Sequence, residues 1–176
     1  TTWMLAKFIG DKGGLYGRVT RQIYLAPFSL GETELFLNEL KGLALTRQQV
    51  LDVYMILGGI PYYLDMLERG VPLDVCIDRL FFSQDSPLRG EFDFLFRSLF
   101  NDSKHYRKIV EVLSEKMKGM TRKELMDELK LKGGGQLSEI LENLKKCDFI
   151  RKYATIGKSD RDALYQLTDL YSLFYT

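Results

Sequence analysis

"QLSEILENLKKCDFIRKYATIG", residues 136–157, changes its hydrophobic period partway along. Leu137, Ile140, Leu141 and Leu144 recur at the spacing of one helix face. From Phe149 the run "FIRKYATIG" reads as a strand; the polar stretch "KSDRDA" turns the chain, and "LYQLT" returns as a second strand. Two helical patterns precede this stretch. "DSKHYRKIVEVLSEKMKG" directs Tyr106, Ile109, Val110, Leu113 and Met117 inward. "TRKELMDELKLKGGG" is a shorter helix that its three glycines are expected to end. Three helices and then a hairpin is the order of a winged helix-turn-helix, with the hairpin as the wing. The expected winged-helix domain covers 100–176, with Asp169 capping a last helix in "LYSLFY".

The preceding half is helical in a different rhythm. Ser29 with Glu32, and Thr46 with Gln49, have the spacing of capping boxes, as do Thr121 and Glu124 in the shorter helix above. Each pair precedes an apolar stripe: Leu30, Phe36, Leu37 and Leu40, then Val50, Val53, Tyr54 and Leu57, then Leu125, Met126 and Leu129. "ILGGIPYYL", residues 56–64, should end one helix at its glycines and start another at Pro61. "PLDVCIDRLFF" follows, and then "SPLRGEFDFLFRSLF" with Ser86 as the expected cap and Pro87 in the first turn. Residues 29–99 therefore read as a helical bundle with short loops. The fold class is mainly α, a helical bundle followed by a winged helix with a small β-hairpin wing.

Residues 1–28 are less regular: apolar "WMLAKFI", glycine-rich "GDKGGLYGR", and "QIYLAPF", expected as a short strand that Pro27 stops. A strand normally needs a neighbouring sheet, and little nearby supplies one. With apolar segments at both ends, the expectation is a piece of a longer protein.

Composition narrows the chemistry. The chain has 176 residues, 45% of them hydrophobic, and balances 25 basic against 24 acidic side chains. Such a balance gives no bulk attraction to nucleic acid or membrane. No apolar run reaches the roughly 18 residues of a membrane span. Cys76 and Cys147 are far apart, which points to neither a disulfide framework nor a metal site and fits a reducing cytoplasm. The lone His105, among Ser103, Lys104 and Tyr106, reads as a helix-surface residue. Neither "KGGLYG" nor "KGGGQ" has the Lys-Ser/Thr pair of a phosphate loop, and the single His has no evident nucleophile beside it. The chain by itself does not read as an enzyme.

A winged helix invites a nucleic-acid reading, for which the candidate cations are Lys145, Lys146, Lys152, Lys158 and Arg161. The third helix argues against it. A recognition helix leads into the groove with its N-terminal residues, and here those include Glu139 and Glu142. Packing against other domains is the expected role, with a non-enzymatic DNA-binding regulator as the rival.

Taken together, "TTWMLAKFIGDKGGLYGRVTRQIYLAPFSLGETELFL", "ILGGIPYYL" and the winged helix ending "LYQLTDLYSLFYT" resemble the prokaryotic AAA-like, archaeal-type ATPases of the signal-transduction (STAND) class of P-loop NTPases. The resemblance runs the length of the chain. It implies that residues 1–28 are the tail of a nucleotide-binding core, 29–99 a helical lid and 100–176 the winged helix. The phosphate loop and the acids that hold Mg²⁺ would lie in an upstream core domain, the chain's expected partner. It further implies ATP as cofactor of the whole protein, with Gly58, Gly59 and Pro61 of "GGIP" beside the adenine. Arg18, with Arg21 as alternative, is implied to act on the γ-phosphate, where a guanidinium stabilises transition-state charge.

Overall fold

The computed structural model describes residues 18–21, 23, 25–100, 102–131, 134–154, 156–157 and 159–176. Among these the protein is mainly α-helical with one small antiparallel sheet, as the hydrophobic periods predict. Packing divides the chain into two units: residues 25–95 with 170–176, and residues 96–169, with which the described residues up to 23 are grouped.

The helical unit begins with α1 (Leu30–Leu35), which runs on as a wider π turn over Phe36–Leu40. Then come α2 (Arg47–Leu57), α3 (Pro61–Leu64) and α4 (Leu73–Phe81). Both expected capping boxes close: the Ser29 hydroxyl accepts from the Glu32 amide at 3.3 Å, and Thr46 from that of Gln49 at 3.2 Å. Leu37, Val53, Leu57, Leu64 and Leu88 are fully buried at its centre. Ser86 does not cap a helix. Its hydroxyl donates to the Phe81 carbonyl at 3.2 Å inside a buried turn, and α5 (Glu91–Leu99) starts five residues later. Pro72 likewise immediately precedes a helix, α4, where its missing N–H costs nothing.

The second unit has the winged-helix order: α6 (Ser103–Ser114), β1 (Met120–Thr121), α7 (Arg122–Glu128), α8 (Gly134–Lys146), β2 (Ile150–Tyr153) and β3 (Leu164–Leu167). The sheet runs β1-β3-β2, all antiparallel, with Ile150 opposite Leu167 and Met120 opposite Tyr165. Thus the hairpin gains a short third strand that sequence period could not show, because two residues carry no alternation. The Thr121 box closes as expected. Leu137, Ile140, Leu141 and Leu144 are all buried, as are Tyr106, Ile109, Val110 and Leu113.

Three expectations are corrected. Met117 is 77% exposed, since α6 stops at Ser114 and Met117 lies on the turn beyond it. Nor do the glycines end α7: Lys130 does so in the left-handed conformation (φ 53°), with the Leu131 amide bonded back to the Met126 carbonyl at 3.0 Å. Gly134 and Gly135 instead open α8. Finally, Ile23 and Leu25–Pro27 of the expected strand are irregular and exposed, with Leu25 at 87%; residues 22 and 24 lie outside the described set, as does 1–17.

The last helix, α9 (Leu170–Tyr175), groups with the helical unit rather than with the winged helix. Tyr171, 2% exposed, lies against Tyr63 with ring centroids 4.9 Å apart, and Tyr175 stacks on Phe92 at 4.7 Å.

Candidate functional site

The joint of "ILGGIPYYL" is built from the backbone outward. Gly58 ends α2 with φ 64° and ψ −165°, a combination that is essentially glycine-only, while its amide donates to the Tyr54 carbonyl at 2.9 Å. Ile60 is extended, as the residue before a proline must be. Pro61 then opens α3 at the position where it loses no hydrogen bond. α3 lasts four residues and closes at Asp65, whose carboxylate takes the Lys41 ammonium at 2.7 Å. One turn aligns too few peptide dipoles to make an anion site at this joint.

Gly59 is buried, and its missing Cβ is used by the chain itself. The Phe28 amide donates to the Gly59 carbonyl at 2.7 Å, and a Cβ at Gly59 would collide with the Phe28 carbonyl oxygen. That contact sets the residue immediately before the Ser29 cap, so the joint anchors the entry to α1. Gly58 is buried as well. Pro61 and Tyr62 are exposed, Tyr62 by 65%, while Tyr63 and Leu64 turn into the core. The surface offered by the joint is therefore Pro61 and the Tyr62 phenol, both exposed. The two glycines shape that surface from beneath.

Arg18 and Arg21 are exposed on the irregular segment before Phe28, and neither is ion-paired among the described residues.

Among the described residues, the winged-helix cations Lys145, Lys146 and Lys152 gather around the Glu142 carboxylate. Lys145 is bound to the Glu142 carboxylate at 2.7 Å, and this hydrogen bond holds Glu142 below its ordinary pKa. Lys146 and Arg161 are exposed, Lys152 is half-buried on β2, and Lys158 lies outside the described residues. The N-terminal turn of α8 is gripped from α7: the Arg122 guanidinium donates to the Gly134 carbonyl at 2.7 Å and to the Ser138 hydroxyl at 3.1 Å. Next to this turn a cleft of about 380 Å³ is lined by Phe100, Tyr106, Asp102, Glu139 and Asn143, among others. Phe100 stacks on Tyr106 at 3.8 Å, and the Asn143 amide donates to the Tyr106 hydroxyl at 2.8 Å. The helix that would read a groove thus shows the Glu139 carboxylate there, and Asn143 is spent on its own core. The Tyr106 partner, 37 residues away, is what turns Asn143 inward.

His105 sits on the α6 surface with its Nδ1 2.7 Å from Asp102. Cys76 is buried and Cys147 half-buried, both as free thiols, and burial pushes the Cys147 thiol up. No described helix is long and apolar enough to cross a membrane.

No family model matches the chain, and no solved structure matches it. The uncharacterized protein MJECL04 of Methanocaldococcus jannaschii is 28% identical over 171 residues, which is 96% of this chain. The chain spans 37% of that relative's length.

Proposed function

We propose that this chain is the lid and winged-helix portion of a larger cytoplasmic ATPase of the archaeal-type, STAND class. Pro61 and Tyr62 meet the adenine of ATP, while Gly58 and Gly59 hold that pair in place. One observation carries the reading: the joint leaves Pro61 and Tyr62 exposed on a backbone fixed by the Gly58 conformation and by the Phe28–Gly59 hydrogen bond. An apolar, preorganised surface contributes affinity to a flat ring at little ordering cost. In the intact protein ATP supplies the phosphoanhydride whose cleavage drives domain movement; its phosphates and Mg²⁺ belong to the upstream core. Arg18 is the proposed γ-phosphate residue. The length of the archaeal relative, well beyond the matched region, is compatible with such a core.

Calorimetric titration tests this. The chain alone is expected to bind ATP very weakly, and the longer protein carrying it to bind tightly. In the longer protein Pro61→Ala should weaken ATP by about 1 kcal/mol or more, as packing and preorganisation are lost. Unchanged affinity would leave the joint a purely structural device. The rival reading, a DNA-binding regulator, predicts gel-shift affinity that falls steeply with salt; the ion-paired Lys145 and the exposed Glu139 disfavour it.

A further inference from the structure

Charge is distributed very unevenly between the two units. Residues 25–95 carry 11 acidic and 5 basic side chains, and residues 170–176 carry none; the rest of the chain carries 13 and 20. On the acidic unit an open groove of about 610 Å³ runs between α2 and α4. Its apolar lining is Ile56, Leu73, Ile77 and Phe82, and Phe82 is 70% exposed. Asp74 and Asp78 also line it, at the four-residue spacing that brings them to one face of α4, with Phe82 a further turn along. Neither carboxylate is ion-paired among the described residues, and the described lining contains no lysine or arginine.

An apolar trough edged by unpaired carboxylates is complementary to one kind of surface: an apolar stripe flanked by cations. We propose that this groove seats an amphipathic helix of a partner protein, with leucine-like anchors against Ile56, Ile77 and Phe82 and Lys or Arg reaching Asp74 and Asp78. Helix-in-groove recognition uses anchors one and two turns apart, the same period at which α4 presents its lining. Nucleic acid and anionic membranes are poor occupants, because this unit's excess of carboxylates repels both. The inference is independent of the nucleotide reading, since none of its residues belongs to the Gly58–Pro61 joint.

The test is fluorescence anisotropy of a labelled synthetic helix of leucine and lysine, amphipathic in one peptide and scrambled in a second of equal composition, titrated with the whole chain. The amphipathic peptide is expected to bind roughly ten-fold more tightly than the scrambled one. Reversing both carboxylates (Asp74→Lys with Asp78→Lys) should cost roughly ten-fold, most of it regained at high salt where wild-type affinity also falls. Phe82→Ser should cost several-fold with little salt dependence. All three residues are exposed or peripheral, and circular dichroism checks that the variants fold. Equal binding of the scrambled peptide, or an affinity untouched by both the double reversal and Phe82→Ser, overturns the proposal. Concentration-dependent self-association abolished by the double reversal also overturns it, in favour of a second copy as occupant.

Discussion

The winged-helix unit and the helical unit solve the same packing problem by opposite routes. In the former, the core residues come from one continuous run, Phe96 to Leu167, and each helix from α6 on buries a stripe written at its own period. In the latter, the core is completed by a helix from the far end of the chain: the Tyr171 ring lies against Tyr63, and the Tyr175 hydroxyl donates to the Arg89 carbonyl at 2.8 Å, 86 residues away. A unit closed by neighbours in sequence announces itself in hydrophobic periodicity, whereas one closed by a distant segment does not. Their glycines, by contrast, are used alike: a Cβ would collide with the Phe28 backbone at Gly59 in one unit and with the Tyr165 carbonyl oxygen at Gly119 in the other.

The contrast is broken most severely at Tyr171. Truncating this buried ring to alanine should cost about 3–5 kcal/mol, the range for large aromatic residues in cores. Native-state hydrogen exchange should show the loss in α2 and α9 and leave the amides of α8 protected; uniform loss would mean that the two units do not open separately. A smaller effect is expected at Gly59. Adding a methyl against the Phe28 carbonyl should cost about 1–3 kcal/mol, as overpacking does, and should loosen the Ser29 cap of α1. If Gly59→Ala proves neutral in chemical denaturation, the Phe28 contact is not what fixes the joint.

The smallest effect belongs to the exposed Glu142–Lys145 pair on the winged-helix unit. Its three-residue spacing on a helix surface is worth only about 0.2–0.5 kcal/mol. The sign follows from the lowered pKa of Glu142: the folded state holds this carboxylate ionised more readily than the unfolded chain does. Its contribution is therefore present above the ordinary carboxylate pKa and fades as pH falls through the lower folded value. Wild type and Glu142→Gln should differ slightly at neutral pH and low salt, and converge in acid or in strong salt. A difference that persists in acid would assign the effect to something other than charge.

Much of this fold was legible because the signals are local. Three capping boxes could be read from Ser29–Glu32, Thr46–Gln49 and Thr121–Glu124, since each requires only two side chains three residues apart, and all three close. The α8 stripe was equally plain. Ser86 misled because serine and proline also suit a buried turn, and the choice was made by the Phe81 carbonyl. The "KGGGQ" glycines misled because a left-handed Lys130 ended α7 before they were reached. At the candidate site, the position of the joint and its proline were readable, whereas the burial of its glycines and the exposure of Tyr62 were not.

Sequence alone determined the helix order of the winged-helix unit, the three capping boxes, the inward face of α8 and the place where the chain must break at Gly58–Pro61. These depend on residues within a turn or two of each other, where backbone sterics and hydrophobic period act directly. The tertiary structure decided what fills the space at Gly59, which partner claims Asn143, where Tyr171 docks, and that the acidic side chains gather on the unit bearing an open apolar groove. Each of these is a contact or a surface assembled from segments far apart in the chain, and no local pattern encodes which distant segment will arrive.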